Sequence, residues 1–124
     1  MIRLIVIMPL MVLMIFASGG CQRETIAETT DPLAAREALS TVLERWRAGD
    51  PPGPGDAEAR FADEDCFAGY QLTSFKISED HKMHGVSVRY AAILSLRDKQ
   101  DRPITKRVQY IVSTKPTISV VRRD

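Results

Sequence analysis

Apolar and polar residues follow three different rules along this chain. Residues 4–16 run without a charge, residues 32–48 carry apolar side chains at helical spacing, and from Tyr70 onward the period becomes two. In the middle stretch Ala35, Ala38, Leu39, Val42, Leu43 and Trp46 fall within an arc of about 140° at 100° per residue, with Glu37 and Glu44 opposite. Asp31 is placed to cap the free amides of a helix, and Pro32 at the first helical position costs no hydrogen bond. Gly49 is placed to end it, and Pro51, Pro52 and Pro54 prevent its resumption. The pattern predicts one amphipathic helix with Trp46 as a core anchor.

In the period-two region Val86, Val88, Tyr90, Ala92, Leu94 and Leu96 alternate with Ser87, Arg89, Ala91, Ile93, Ser95 and Arg97, which predicts a long strand buried on one face. Residues 98–103 read as a turn, after which Val108, Tyr110 and Val112 repeat the alternation and predict a hairpin. Upstream, Leu72, Phe75 and Ile77 slip by one near Thr73-Ser74, the mark of a bulge. Downstream, Lys115-Pro116 turns the chain and residues 117–122 return through Ile118 and Val120. The predicted fold is α+β, one N-terminal amphipathic helix packed on a four-stranded antiparallel meander, because the helix is the only cover available for the apolar face of such a sheet. Residues 50–65 read as an acidic loop, with a short strand or a turn of helix around residues 59–62. On the other face of the sheet Ala91, Ile93 and Ile111 come together if the central strands pair around Ala91 and Ile111, making them a candidate interaction surface.

The uncharged opening run changes the picture of where this body resides. Arg3 precedes it and Ala17-Ser18-Gly19-Gly20 follows, the three-part layout of a secretory signal over residues 1–20. Thirteen helical residues reach about 20 Å, short of a hydrocarbon core of about 30 Å, and Pro9 interrupts them. Ser18-Gly19-Gly20-Cys21 resembles the lipobox of bacterial lipoproteins. That resemblance implies a diacylglycerol on Cys21, cleavage before it, and a mature protein held to the inner or outer membrane facing the periplasm, or at the cell surface. Residues 21–31 then form a flexible tether and residues 32–124 the domain. Cleavage after Gly19 or Gly20 by the ordinary signal peptidase is the other route. It leaves Cys21 a thiol able to pair with Cys66, whereas acylation leaves Cys66 without a partner in the chain.

Charge bears on the choice of partner. Seventeen Lys and Arg oppose sixteen Asp and Glu, and with Arg3 in the leader the remainder sums to zero, which argues against nucleic acid. Yet residues 21–75 hold eleven acids and five bases, while residues 76–124 hold eleven bases and five acids. Either the halves neutralise each other locally or the folded body carries a dipole.

Candidate chemistry is sparse. His81-Lys82-Met83-His84 falls between two predicted strands and is the nearest approach to a metal site, a weak one because a third fixed ligand is missing. Cys66 has acids as sequence neighbours, which disfavours a thiolate. No phosphate loop, nucleophile elbow or CxxC pair occurs, so no catalytic residue and no cofactor is assigned.

Residues Ala38-Leu39, Leu43, Trp46-Arg47-Ala48-Gly49, Gly69-Tyr70-Gln71-Leu72, Val86-Ser87-Val88, Leu94-Ser95-Leu96-Arg97-Asp98 and Val108-Gln109-Tyr110-Ile111-Val112-Ser113-Thr114 resemble a group of small uncharacterised bacterial proteins with lipoprotein-like signals, met mainly in planctomycetes. The helix-on-curved-sheet layout is also similar to cystatin-like and nuclear-transport-factor-like folds, which host binders and enzymes alike. The resemblance carries no catalytic residues over. Three functions follow as expectations. The first is a non-enzymatic, lipid-anchored module that binds an envelope protein or other envelope component, and the second is a small-molecule binder or enzyme using the concavity between helix and sheet, lined by Trp46, Tyr70, Tyr90 and Tyr110. The third is a structural component of the envelope.

Overall fold

Asp31 opens helix α1 (Pro32–Arg47) as its cap, its carboxylate accepting from the Ala34 amide at 3.0 Å, with Pro32 in the first turn. The computed structural model describes residues 29–123, so the expected signal over residues 1–20, Cys21 and most of the tether lie outside the described residues. The helix ends in a paired closure, in which the Gly49 amide donates to the Trp46 carbonyl and the Asp50 amide to the Arg45 carbonyl. Gly49 makes this possible with φ at 89°, a left-handed value that a side chain would strain. The buried residues of α1 are Ala35, Ala38, Leu39, Val42, Leu43 and Trp46, the stripe that the helical spacing picks out.

The rest of the body is β1 (Ala59–Ala62), a short helix α2 (Glu64–Phe67), β2 (Gln71–His84), β3 (Ser87–Arg97), β4 (Pro103–Ser113) and β5 (Ile118–Arg122). Strands β2 to β5 form the expected antiparallel meander, but the sheet has five strands in the order β1-β5-β4-β3-β2, with β1 parallel to β5. The four-stranded expectation is therefore corrected. Strand β1 is only four residues long, too short for alternation to stand out, and its partner lies almost sixty positions downstream.

Helix α1 packs on one face of this sheet, and Val88, Tyr90, Ala92, Leu94, Leu96, Val108, Tyr110, Val112 and Val120 point into the core it covers. Phe61 of β1 joins them, fully buried between Trp46 and Tyr110 at ring-centroid distances of 5.8 and 6.3 Å. Two polar anchors fix the helix in place. The Tyr90 hydroxyl donates to the Pro32 carbonyl at 2.9 Å, and Trp46 Nε1 donates to the Tyr70 carbonyl at 3.0 Å.

Strand β2 slips where Thr73-Ser74 predicts it, and again between Ile77 and His81. The second bulge turns carbonyls toward the helix, and Arg36 answers by donating to those of Ile77 and Ser78. Strand β2 runs on to His84, so the segment expected as a connection is strand, and the hairpin turn is Gly85-Val86 alone, with Gly85 at φ 64°. Val86 consequently sits in the turn and is exposed rather than facing the core. Thr30, placed in the tether by the sequence reading, is buried. Its amide donates to the Val86 carbonyl at 2.8 Å, and its hydroxyl accepts from the Thr114 amide.

Candidate functional site

The four aromatic residues expected to line a concavity are used to fill it. Trp46, Tyr90 and Tyr110 are buried, the first and last joined through Phe61. Tyr70 is half-buried with the Lys106 ammonium 5.8 Å from its ring centre. None of these residues shares a cavity with another of the four. The space beneath the buried stripe of α1 is core, while open grooves flank the helix, one of about 550 Å³ lined by Ala38, Val42, Arg45, Ala59 and Ile118 and one of about 340 Å³ lined by Pro32, Arg36, His81 and Tyr90.

The histidines are separated by strand geometry. Positions three apart on a strand point to opposite faces. His81 pairs with Tyr90 on the helix side and lies 5.8 Å from its ring, whereas His84 pairs with Ser87 on the other side, its Nδ1 3.3 Å from the Arg89 guanidinium. Among the described residues no group of three or more His, Cys, Asp or Glu side chains is arranged to hold a metal.

The densest polar cluster is one that sequence reasoning missed. Asp63 caps α2, its Oδ1 accepting from the Asp65 and Cys66 amides at 2.8 and 3.1 Å. That same carboxylate accepts from the Tyr110 hydroxyl at 2.6 Å and from Arg122 at 3.2 Å, while Asp65 binds Arg122 and, at 3.0 Å, Lys106. Arg122 pairs with Tyr110 across β4 and β5, so it shares the inner face, and its side chain is only 4% exposed. The inward parity it shares with Val120 is the signal that finds it, a basic residue on a face of valines. Each buried charge meets an opposite one, which is what keeps such groups in a core.

This cluster staples the segment after β1 onto the end of the sheet. Burial raises the Asp65 carboxyl, but hydrogen bonds from Arg122 and Lys106 and their positive charges outweigh it and hold the group below its ordinary value of 3.8. A lowered folded value contributes stability above the unfolded value, and that contribution is lost as the pH falls through the folded one. The deficit of Asp65→Asn relative to the parent, read from urea midpoints near neutrality and at about pH 3, is therefore expected to shrink at the acid end. A deficit that stays constant would show that Asp65 is not held low. Beside it, burial and then the Asp63 charge push the Cys66 thiol up to about 11, so it stays protonated and unreactive near neutrality.

Among the described residues no helix covers the opposite face of the sheet. Strand alternation places Arg60, Lys76, Lys82, Arg89, Arg97 and Arg107 there, with Ala91, Ile93, Gln109, Ile111 and Val121 between them. The register sets Ala91 against Gln109, Ile93 against Arg107 and Ile111 against Arg89. Ala91 and Ile111 thus do not pair, and Ile93 and Ile111 sit four residues apart along the ladder, which corrects the expected cluster. Ile111 instead continues through Val121 to Ala62. Ile93, Ala91, Lys76 and Arg107, together with Glu79 and Asp80, line an open groove of about 420 Å³ over the second bulge of β2.

The charge asymmetry of the sequence survives folding in this arrangement. Among the described residues Lys106 and Arg122 reach across to acids of the first half, whereas the pairs of Arg45 with Asp50, Arg47 with Glu44, Arg97 with Asp101 and Arg102 with Asp98 form within their own halves. Arg60, Lys76, Lys82 and Arg107 are exposed, and no carboxylate among the described residues pairs with them. Compared with protein-family models, with curated proteins and with solved structures, the chain finds no match in any of the three.

Proposed function

We propose that this chain is an exported, lipid-anchored, non-enzymatic binding module of the cell envelope, with the uncovered face of its sheet as the contact surface. The observation that carries this reading is how the polar groups are divided. The buried charges around Asp63 and Asp65 are paired and the aromatic residues are packed, while four cations of the open face, Arg60, Lys76, Lys82 and Arg107, are exposed without a carboxylate partner among the described residues, on a surface they share with Arg89, Arg97 and apolar side chains. Groups spent on packing and pairing hold the fold, and groups left facing water in one-signed array are available to a partner.

The anchor rests on the uncharged run of residues 4–16 and on Ser18-Gly19-Gly20-Cys21. Among the described residues no helix is long and apolar enough to cross a membrane. A lipid on Cys21 would hold the body to a bilayer through several acyl chains, each methylene contributing about 0.8 kcal/mol. Intact mass of the mature protein made in a bacterial host is the test. A chain beginning at Cys21 and heavier by a diacylglycerol and an acyl group is expected, and retention of Met1, or a bare Cys21, would overturn the anchor.

A further inference from the structure

The basic face and the position of the tether together select a partner. The described chain begins where Thr30 is bonded to Val86, at the β2–β3 hairpin end of the sheet. Nine peptide steps separate Thr30 from Cys21, and even fully extended they span at most about 30 Å. A body leashed that closely to a bilayer meets the lipid surface before any other polyanion.

We propose that the open face of the sheet docks on the anionic, phosphate-bearing surface of the bilayer itself, a step that rests on the anchor reading above. Arg60, Lys76, Lys82, Arg89, Arg97 and Arg107 supply the positive charge, spread over four strands rather than gathered into a pocket, which suits a plane of headgroups better than a single bound anion. Ile93 and Val121, each 39% exposed, stand among them. Val86, at 43% exposed, sits in the turn at the hairpin end where the tether arrives. Apolar side chains amid cations are what an interfacial surface needs, the first entering the headgroup region and the second holding the phosphates. The acids lie elsewhere. Glu37 and Glu44 are on α1, across the sheet, and Asp56, Glu58 and Glu64 are on the loop and short helix that flank it. A bilayer of negative charge would therefore attract the open face and repel the acidic loop and short helix, while α1, with Arg36, Arg45 and Arg47 beside Glu37 and Glu44, is close to balanced. The exceptions are Glu79 and Asp80 at the β2 bulge, which line the grooves of this face beside Lys76, Lys82, Arg89 and Arg107, and Asp101, which pairs with Arg97.

Trace lysine acetylation, kept well below one modification per chain, reads this docking on the parent sequence. The mature chain, purified from a bacterial host, is placed on vesicles of pure phosphatidylcholine and on vesicles with about one-third phosphatidylglycerol. Modification rates of Lys76 and Lys82 are followed by mass spectrometry against Lys99, which is exposed in the β3–β4 turn. On the anionic vesicles Lys76 and Lys82 are expected to slow about fivefold or more relative to Lys99, and about 0.5 M salt should restore them. The Arg60→Glu/Arg107→Glu variant, which keeps both reporter lysines, is expected to lose the protection. Because salt acts on the unaltered chain, the result stands even if that variant folds poorly. Equal rates on the two vesicle types would overturn the docking, as would protection that appears only when an envelope protein is added. The mass of the same sample judges the anchor separately: an unlipidated chain sinks that reading and the docking with it, whereas a lipidated chain with equal rates sinks the docking alone.

Discussion

Replacing Asp63 by Ala is expected to cost about 3–5 kcal/mol of folding stability, read as a fall in the urea midpoint with an unchanged slope. One carboxylate holds four donors, the Asp65 and Cys66 amides, the Tyr110 hydroxyl and Arg122. Truncation leaves a fully buried hydroxyl without its acceptor and halves the negative charge facing a buried guanidinium. A domain of this size has a total stability of about 5–14 kcal/mol, so the loss is a large share of it. Asp63→Asn is expected to cost less, about 1–3 kcal/mol, because the amide oxygen can still cap α2 while the charge is gone. Combining Asp63→Ala with Tyr110→Phe should cost less than the two changes summed, since the second removes the hydroxyl that the first leaves unsatisfied. A parent-like midpoint for Asp63→Ala would mean that the cluster does not hold the segment after β1 to the sheet.

The cluster was out of reach of pattern reading for a definite reason. Helix α1 and strands β2 to β5 announce themselves through repeated spacing over many residues, and the buried set of α1 coincides with the stripe read from its sequence. Asp63 and Asp65 sit in a run of acids, which in sequence looks like a solvated loop, and only the fold brings Arg122 from the far end of the chain to meet them. Strand β1 shows the same dependence on distant partners. The histidines err in the other direction. His81 and His84 suggest convergence only if their segment is a helical turn, and the extension of β2 to His84 sends them to opposite faces. The open face was half legible: alternation places its residues on one side of the sheet, but the register that puts Arg107 beside Ile93, and Arg89 beside Ile111, depends on the length of the turn before Pro103. The register separates the two isoleucines and sets each beside an arginine, leaving isolated apolar side chains on a basic surface rather than an apolar patch. It also changes what such a face can bind, from an apolar protein partner toward an anionic one.

Phe61→Ala is the sharpest test of the added strand, and the expected loss is again about 3–5 kcal/mol. The ring is fully buried with Trp46 on one side and Tyr110 on the other, and neither neighbour can collapse freely into the vacated space. Trp46 is held by the Tyr70 carbonyl and Tyr110 by Asp63. A cavity that cannot close keeps its full penalty, whereas Phe61→Leu, which retains most of the volume, should lose only about 1 kcal/mol from the aromatic contacts. The backbone gives a second readout. With β1 in place, β5 lies between two partners, and Val120 is paired with Phe61 on one side and Val112 on the other. If Phe61→Ala loosens β1, the β5 amides that face it become those of an edge strand, and their hydrogen exchange should accelerate well ahead of the β3 amides. Uniform acceleration across β3, β4 and β5 would indicate a loss of global stability alone, and unchanged stability with unchanged exchange would show that β1 contributes nothing to the body. The first outcome matters for the open face too, because Arg60 reaches it only while β1 is paired with β5, so a loosened β1 should weaken vesicle protection of Lys76 by about the fivefold that one cation near a charged surface is worth.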